Sequence, residues 1–405
     1  MTLNNETEEP VEVISCGEFN SNSGPDFFNA IIRVEGLILA GNVEIHMNSS
    51  DWVRHGHHID KAYDSVILQL VINDDEKVTR TNGEIIPTAL LTFDSTFKEN
   101  YSDLLGHESW ISCQHCIDII DFVFKNQVLY EMGIKRLEAK ANLIGERKYY
   151  NRNCWEETFY QLLARNFGFS INGHAFEMLA RALPYKYLLR QADSLFQIEA
   201  MLFGQAGMLF QNVVDDYFQD LKKEYRFLKS KYNLKPMEKH LWKFLRLRPA
   251  NFPTIRISQF SAVIFRQPGL FSSVIECNDF KSLSELFRVS ASVYWDTHFL
   301  FNKPSIKRPK NLGPFAIRSI IINTVVPALY YYGKQKRISK YSDRAIEFLY
   351  ELPPENNSVI SRWKTFGFNI DNAFASQALL HLRNEFCSYR RCLDCRIGDR
   401  LINAF

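Results

Sequence analysis

The chain has 405 residues, 48 Lys+Arg against 46 Asp+Glu, and 46% hydrophobic residues, with 32 Phe and 18 Tyr. An ordinary apolar fraction and 14% aromatics exclude wholesale disorder. A formal net charge of +2 excludes a generally polycationic, histone-like protein while leaving room for a local basic groove.

The length allows two or three domains with cores of their own. No run of about 18 apolar residues occurs, so no membrane-spanning helix is expected. The polar, acidic start MTLNNETEEP is unlike a secretory signal and points to the cytoplasm. Eight cysteines are too sparse for a disulfide scaffold.

Residues 10–95 read as β structure. Val11–Ile14 alternates, Ala30–Val34 is strand-like, and the turn Glu35–Gly36 leads into Leu37–Ala40 and Gly41–His46 as a hairpin. The polar stretch DWVRHGHHIDKAYD precedes Val66–Ile72, an almost continuous apolar run suited to a strand covered on both faces. After the turn at Thr81–Gly83, Glu84–Phe93 is expected as an edge strand because it carries Pro87. From about residue 118 the period becomes helical. Helices are expected at Trp155–Phe167, Phe176–Leu183, Leu195–Phe210, Val213–Lys231, Ser258–Phe265, Leu283–Val293, Ile317–Tyr332, Arg344–Tyr350 and Asn372–Phe386. The expected fold is α+β: a small mixed-sheet domain over 1–95, a connecting segment over 96–117, and a large all-α domain over 118–405.

Two strands carry the densest chemistry. Pro25-Asp26 opens one, and Glu44-Ile45-His46 lies on the next, so Glu44 and His46 share a face. If the hairpin pairs as read, Asp26 approaches Glu44. Two carboxylates and an imidazole then make a hard-cation site for Mg²⁺ or Mn²⁺, with the Ile45 carbonyl available to complete the shell. Such an ion activates water and polarises a phosphate oxygen, as phosphodiester hydrolysis requires. His55, His57 and His58 follow in the polar stretch, where His57 can line the same cleft and supply a proton. The plainer alternative is a set of loop histidines, with Trp52 and Tyr63 as packing residues.

This arrangement resembles the PD-(D/E)XK nuclease superfamily: Pro25-Asp26 matches the PD element and Glu44-Ile45-His46 the (D/E)XK element, with His46 in place of the lysine. The resemblance implies a core of helix, three strands, helix and strand, a divalent metal at Asp26 and Glu44, and a nucleic-acid substrate. The polar stretch before Tyr63 would be the second helix, and VILQLVI the last strand. Residues 1–9 are too short and polar to supply the first helix. The whole chain is also similar to an uncharacterised bacterial family, domain of unknown function 2851. That likeness rests on SGPDFFNA (23–30), AGNVEIH (40–46), SSDWVRHGHHIDKAYD (49–64), IEAMLFGQAG (198–207), LRPANFPTIRISQ (247–259) and CLDCRIG (392–398). Members of this family carry an extra helical segment before the first strand.

Cys387, Cys392 and Cys395 form a C-x4-C-x2-C group flanked by Arg390, Arg391 and Arg396, which favour thiolates. Cys113, with Cys116 beside it, is the candidate fourth ligand for zinc or an iron–sulfur cluster. Plain packing of reduced thiols is the alternative. Arg246, Arg248 and Arg256 are interleaved with aromatics in WKFLRLRPANFPTIR, and Lys307 and Arg308 lie in KPSIKRPK. Cations beside aromatics can hold phosphates and stack bases, or simply form a solvated face. The expected function is a metal-dependent nuclease. The alternative is a non-catalytic scaffold that binds nucleic acid or protein through a degenerate nuclease fold.

Overall fold

The computed structural model describes residues 2–5, 10–34, 36–92 and 95–403. The chain divides into two compact units, Met1–Leu104 with Ile402–Phe405, and Leu105–Leu401. The first is built on a mixed sheet and the second on helices, so the fold is α+β.

The sheet strands are β1 (Thr2–Asn5), β2 (Pro10–Ser15), β3 (Glu18–Phe19), β4 (Phe27–Val34), β5 (Leu37–Asn48), β6 (Val66–Asn73) and β7 (Thr88–Leu90). Their order is β2-β1-β7-β6-β5-β4-β3, and β2 also pairs with β4, so the ladder closes on itself. The steps β2–β4 and β4–β5 are antiparallel, whereas β5–β6 and β6–β7 are parallel. A parallel step needs a crossover, which residues 49–65 supply. Val11, Ala30, Ile32, Val43, Leu68 and Ala89 fill one core. Trp52, Tyr63, Val66, Val78 and Ile86 fill a second one under the crossover.

Two expectations change here. The crossover is not one helix. It is the short helix Asp51–Arg54 followed by 3-10 turns at His57–Ile59 and Lys61–Tyr63. Gly56, at φ 80°, breaks the first turn, and the Asp60 carboxylate caps the last by accepting from Ala62 N–H at 2.9 Å. The strand expected at Glu84–Phe93 shortens to β7 and is not an edge, because it pairs with both β6 and β1. Pro87 stands just before it, and its carbonyl accepts from Gln69 N–H at 2.9 Å, so the missing N–H costs no ladder bond. Phe93 and Glu35, which belong to the expected strand and turn, lie outside the described residues. The β4–β5 hairpin itself is present, with Val34 opposite Leu37.

In the helical unit, Trp155–Phe167 has the expected bounds. Phe169–Ala182, Pro253–Arg266 and Ser339–Glu351 are longer than their apolar stripes alone indicate. Where a helix is expected at Leu283–Val293, the α-helix is Phe280–Leu286, overlapping only its first four residues, and Ser290 bridges Asn311 instead. The 29-residue helix Phe122–Tyr150 was hidden by its interleaved charges. Its Gly133 lets Phe374 of Ala373–His381 approach so closely that an added Cβ would lie 2.3 Å from the ring. The 96–117 segment holds the helix Ser95–Gly106 and turns at Ser112–His115 and Ile117–Ile119. Pro314–Lys336 is long and apolar enough to cross a membrane by length and composition, although no uninterrupted apolar run marks it, and 67% of that window is buried inside the protein.

Lys140, on Phe122–Tyr150, points its ammonium into this unit and donates to Asn323 Oδ1 and Gln377 Oε1, each at 3.0 Å. Burial, and then the nearby Arg136 guanidinium, pull its pKa from 10.5 down to about 7, against the pull of Glu355. Between those two values the unfolded chain holds a proton that the folded chain does not, so stability should rise with pH across that window. Chemical unfolding of Lys140→Met at pH 7, 8.5 and 10 should show this rise reduced, by on the order of a few kcal/mol at most. An identical pH slope in the variant would show that the ammonium is solvated.

Candidate functional site

The turn before β4 is built by one side chain. Asn20 Nδ2 donates to the carbonyls of Asn22, Ser23 and Pro25 at 3.2, 3.1 and 3.0 Å, while Asn20 N–H donates to the Asp26 carbonyl at 2.7 Å. A bulge follows: Phe27 faces Val43 and Ala30 faces Gly41, leaving Phe28 and Asn29 opposite Asn42 alone. Asn29 takes φ 58°, and its N–H donates to Asn42 Oδ1 at 3.2 Å.

This turn and bulge set Asp26 against β5. Asp26 N–H donates to Glu44 Oε2 at 3.0 Å, and Asp26 Oδ2 accepts from Ile45 N–H at 3.0 Å. Glu44 Oε1 is left 3.6 Å from His46 Nε2 and 3.5 Å from His57 Nε2. Strand phase puts Glu44 and His46 on one buried face and leaves Ile45 exposed on the other. Asp26, Glu44, His46 and His57 are therefore brought together as the sequence suggested.

Two residues join them. His55, exposed at the rim, has Nδ1 3.3 Å from His46 Nε2, and His46, His55 and His57 offer ring nitrogens that all lie within 4.8 Å of one another. Gln69, opposite Glu44 on β6, donates from Nε2 to His46 Nδ1 at 3.0 Å and to the Ser49 carbonyl at 3.2 Å. Gln69 was missed, although its signal was present: it is the one polar residue in VILQLVI, and a buried amide needs partners. Its Oε1 has none. His58 falls on the same turn as His57, and its buried Nδ1 also lacks a hydrogen bond.

Below the site, the His57 ring stacks on Tyr63 at 3.8 Å and meets Trp52 edge-on at 5.3 Å. Burial pushes the Tyr63 hydroxyl up, and the nearby Gly24 backbone opposes it, so the crossover lies beside the turn before Asp26. Burial, and then the Asp26 charge, push the Glu44 carboxyl up to about 7. Burial, and then His57 and His55, pull His46 down to about 4. His46 is therefore neutral at pH 7 and carries no positive charge there.

The cysteines gather within the helical unit. Burial, and then the nearby Cys387, Cys395, Cys116 and Cys392, hold the Cys113 thiol well above its ordinary value. The flanking arginines were expected to favour thiolates. Of these Arg390 does pull Cys392 down, and Arg383, not among them, pulls Cys387 down, but burial outweighs both and pushes Cys387 up to about 12. Among the described residues no three of these sulfurs lie within 4.8 Å of one another. Cys277 is buried alone, and Cys16 and Cys154 are exposed.

Of the basic residues, Arg246, Arg248, Lys307 and Arg308 are exposed on loops of the helical unit. Arg256 is withdrawn: it is 8% exposed and bonded to Gln259 and Asn251. Helix phase turns it inward.

A family model described as a protein of unknown function (DUF2851) matches residues 1–358, and the chain belongs to that family. No curated protein and no solved structure matches the chain.

Trp52 is fully buried beneath His57, and its Nε1–H donates to the Thr79 carbonyl at 3.0 Å. Trp52→Ala should therefore destabilise the sheet unit by about 3–5 kcal/mol. Urea unfolding followed by circular dichroism checks this. A loss within about 0.5 kcal/mol of zero, as at surface sites, would deny Trp52 that supporting role.

Proposed function

We propose that this chain is a metal-dependent phosphodiesterase acting on nucleic acid, with its site at Asp26, Glu44, His46, His55 and His57. The observation that carries the reading is the reciprocal bonding of Asp26 to the Glu44–Ile45 segment beside three clustered imidazoles. The strand sequence β2, β4, β5, crossover, β6, antiparallel until a final parallel step, supports the likeness to the PD-(D/E)XK nucleases.

The donor set fits a borderline cation. Imidazoles beside carboxylates suit Mn²⁺ better than Mg²⁺, which prefers oxygen ligands and water. When bound, such an ion acidifies a water and polarises a phosphate oxygen. Asp26 and Glu44 supply the negative charge, and the Ile45 N–H orients the Asp26 carboxylate. For His46 Nε2 to act as a ligand its proton must sit on Nδ1, and the unpartnered Gln69 Oε1 is the acceptor available for it once the amide turns over. His57, stacked and buried, is placed to exchange a proton near Glu44. The exposed Arg246, Arg248, Lys307 and Arg308 are cations of the kind that bind phosphates.

A binding scaffold is the second reading. It is favoured by one oxygen of each carboxylate already accepting a backbone N–H, and by a neutral His46 where the superfamily has lysine.

Wild-type protein with Mn²⁺ should cleave labelled single-stranded DNA, duplex DNA or RNA, and more slowly with Mg²⁺. Asp26→Asn and Glu44→Gln should each lower cleavage about 100-fold or more with circular dichroism unchanged. Direct binding of the same substrates without cleavage in either metal would move the assignment to the scaffold.

The cysteines are proposed to hold a metal as well. A single tetrahedral zinc brings its sulfurs within about 3.8 Å of one another, given Zn–S bonds near 2.3 Å. Among the described residues no three of the Cys113, Cys387, Cys392 and Cys395 sulfurs meet within 4.8 Å, which favours an iron–sulfur cluster, because such a cluster spreads four thiolates over several metal ions. Protein purified anaerobically without chelator should contain iron and sulfide and lose both in Cys392→Ser. Zinc in place of iron would replace the cluster with a mononuclear site, and neither metal would leave packing thiols.

A further inference from the structure

The helical unit contains a second site, separate in its residues from the acidic one. A cavity of about 290 Å³ is lined by Phe167, Phe176, Leu247, Pro253 and Phe315, with the Arg256 guanidinium among these apolar walls. That volume lies near the lower end of small-ligand pockets.

Arg256 is the anomaly. It is 8% exposed, its Nη1 donates to Gln259 Oε1 at 2.9 Å and its Nη2 to Asn251 Oδ1 at 2.6 Å, and its Nε has no partner. Both acceptors are neutral amides. Among the described residues no carboxylate is paired with it, and burial pulls its pKa down to about 10. Phe169 lies against the guanidinium, 4.7 Å from its carbon to the ring centre. A buried cation without a counter-charge is costly, and structures that keep one usually supply an anion.

The backbone adds positive potential at the same place. The 14-residue helix Phe169–Ala182 begins at the cavity wall with Phe169, Ser170 and Ile171, and no side chain caps it. Pro253, the first residue of the helix Pro253–Arg266, also lines the cavity but has no N–H to offer, and the Arg256 N–H is taken by the Phe252 carbonyl at 3.0 Å. The helix start at Phe169 carries unsatisfied N–H groups and about half a positive charge. The apolar walls exclude a fully hydrated ion. Ser170, Ile171, Asn251 and Phe315, all exposed, form the mouth.

We propose that this cavity binds a small organic anion, its acid group on Arg256 and the helix start at Phe169 and its apolar body against Phe167, Phe176 and Phe315. The chemistry required is a carboxylate or phosphate carried on an aromatic or aliphatic group.

Isothermal titration of the full chain with benzoate, phenyl phosphate and the neutral benzyl alcohol tests this. At least one anion should bind saturably and about 10-fold or more tighter than the alcohol, and the tighter of the two identifies the acid group. Arg256→Gln should abolish that preference. If it does not fold, Ser170→Asp at the exposed mouth should weaken the anion and leave the alcohol unchanged. Saturable binding of neither anion up to about 10 mM, well beyond the millimolar range of weak ligands, or equal binding of anion and alcohol, would overturn the proposal. Nuclease activity enters none of these readouts.

Discussion

The exchange of hydrogen bonds between Asp26 and the Glu44–Ile45 segment is the constraint on which the chemistry of the sheet unit depends. Each carboxylate is held by a backbone N–H of the other strand, so neither can leave without orphaning a donor. That exchange exists only because the bulge at Phe28–Asn29 shifts the β4 register by one residue. A one-residue slip of β5 would send Glu44 and His46 to the opposite face. The positive φ of Asn29 and the Asn20-bonded turn are the local terms that hold this register.

The parallel step from β5 to β6 does the complementary work. It forces the chain over one face of the sheet, and the short turns of that crossover deliver His55 and His57 to the rings and carboxylates already placed by β5. A longer helix would have spread those histidines around its circumference. Gly56 and Asp60 break the path into turns, and Trp52 and Tyr63 pin the turns to the sheet. Packing and electrostatics are coupled here: the burial that seats His57 on Tyr63 also keeps His46 neutral and Glu44 reluctant to ionise.

The helical unit buries several titratable groups with different partners. Glu177 is buried, but three guanidiniums, Arg147, Arg165 and Arg181, hold its carboxylate ionised. Lys140 rests on neutral amides and sheds much of its affinity for the proton. Arg256 also rests on amides but stays charged, because a guanidinium moved only to about 10 remains a cation at neutral pH. Burial is thus absorbed by pairing at Glu177, by neutralisation at Lys140, and by neither at Arg256. That difference is why the last marks a ligand site and the others do not.

Residue type and period determined much of this protein on their own. Alternation in β2 and β4, the apolar run of β6 and the 3.6 period of Trp155–Phe167 are local properties, and the α+β order follows from them. The shared face of Glu44 and His46 follows from strand phase alone. The proximity of Asp26, His55 and Gln69 does not, because it depends on a bulge, a crossover and a parallel register that link residues up to 43 positions apart (26 to 69). Arg256 shows the same limit from the other side. Among aromatics in sequence it reads as a surface cation, and only tertiary packing decides that it lines a cavity. Side-chain chemistry is written residue by residue, but burial and convergence arise from long-range contacts that no local pattern encodes.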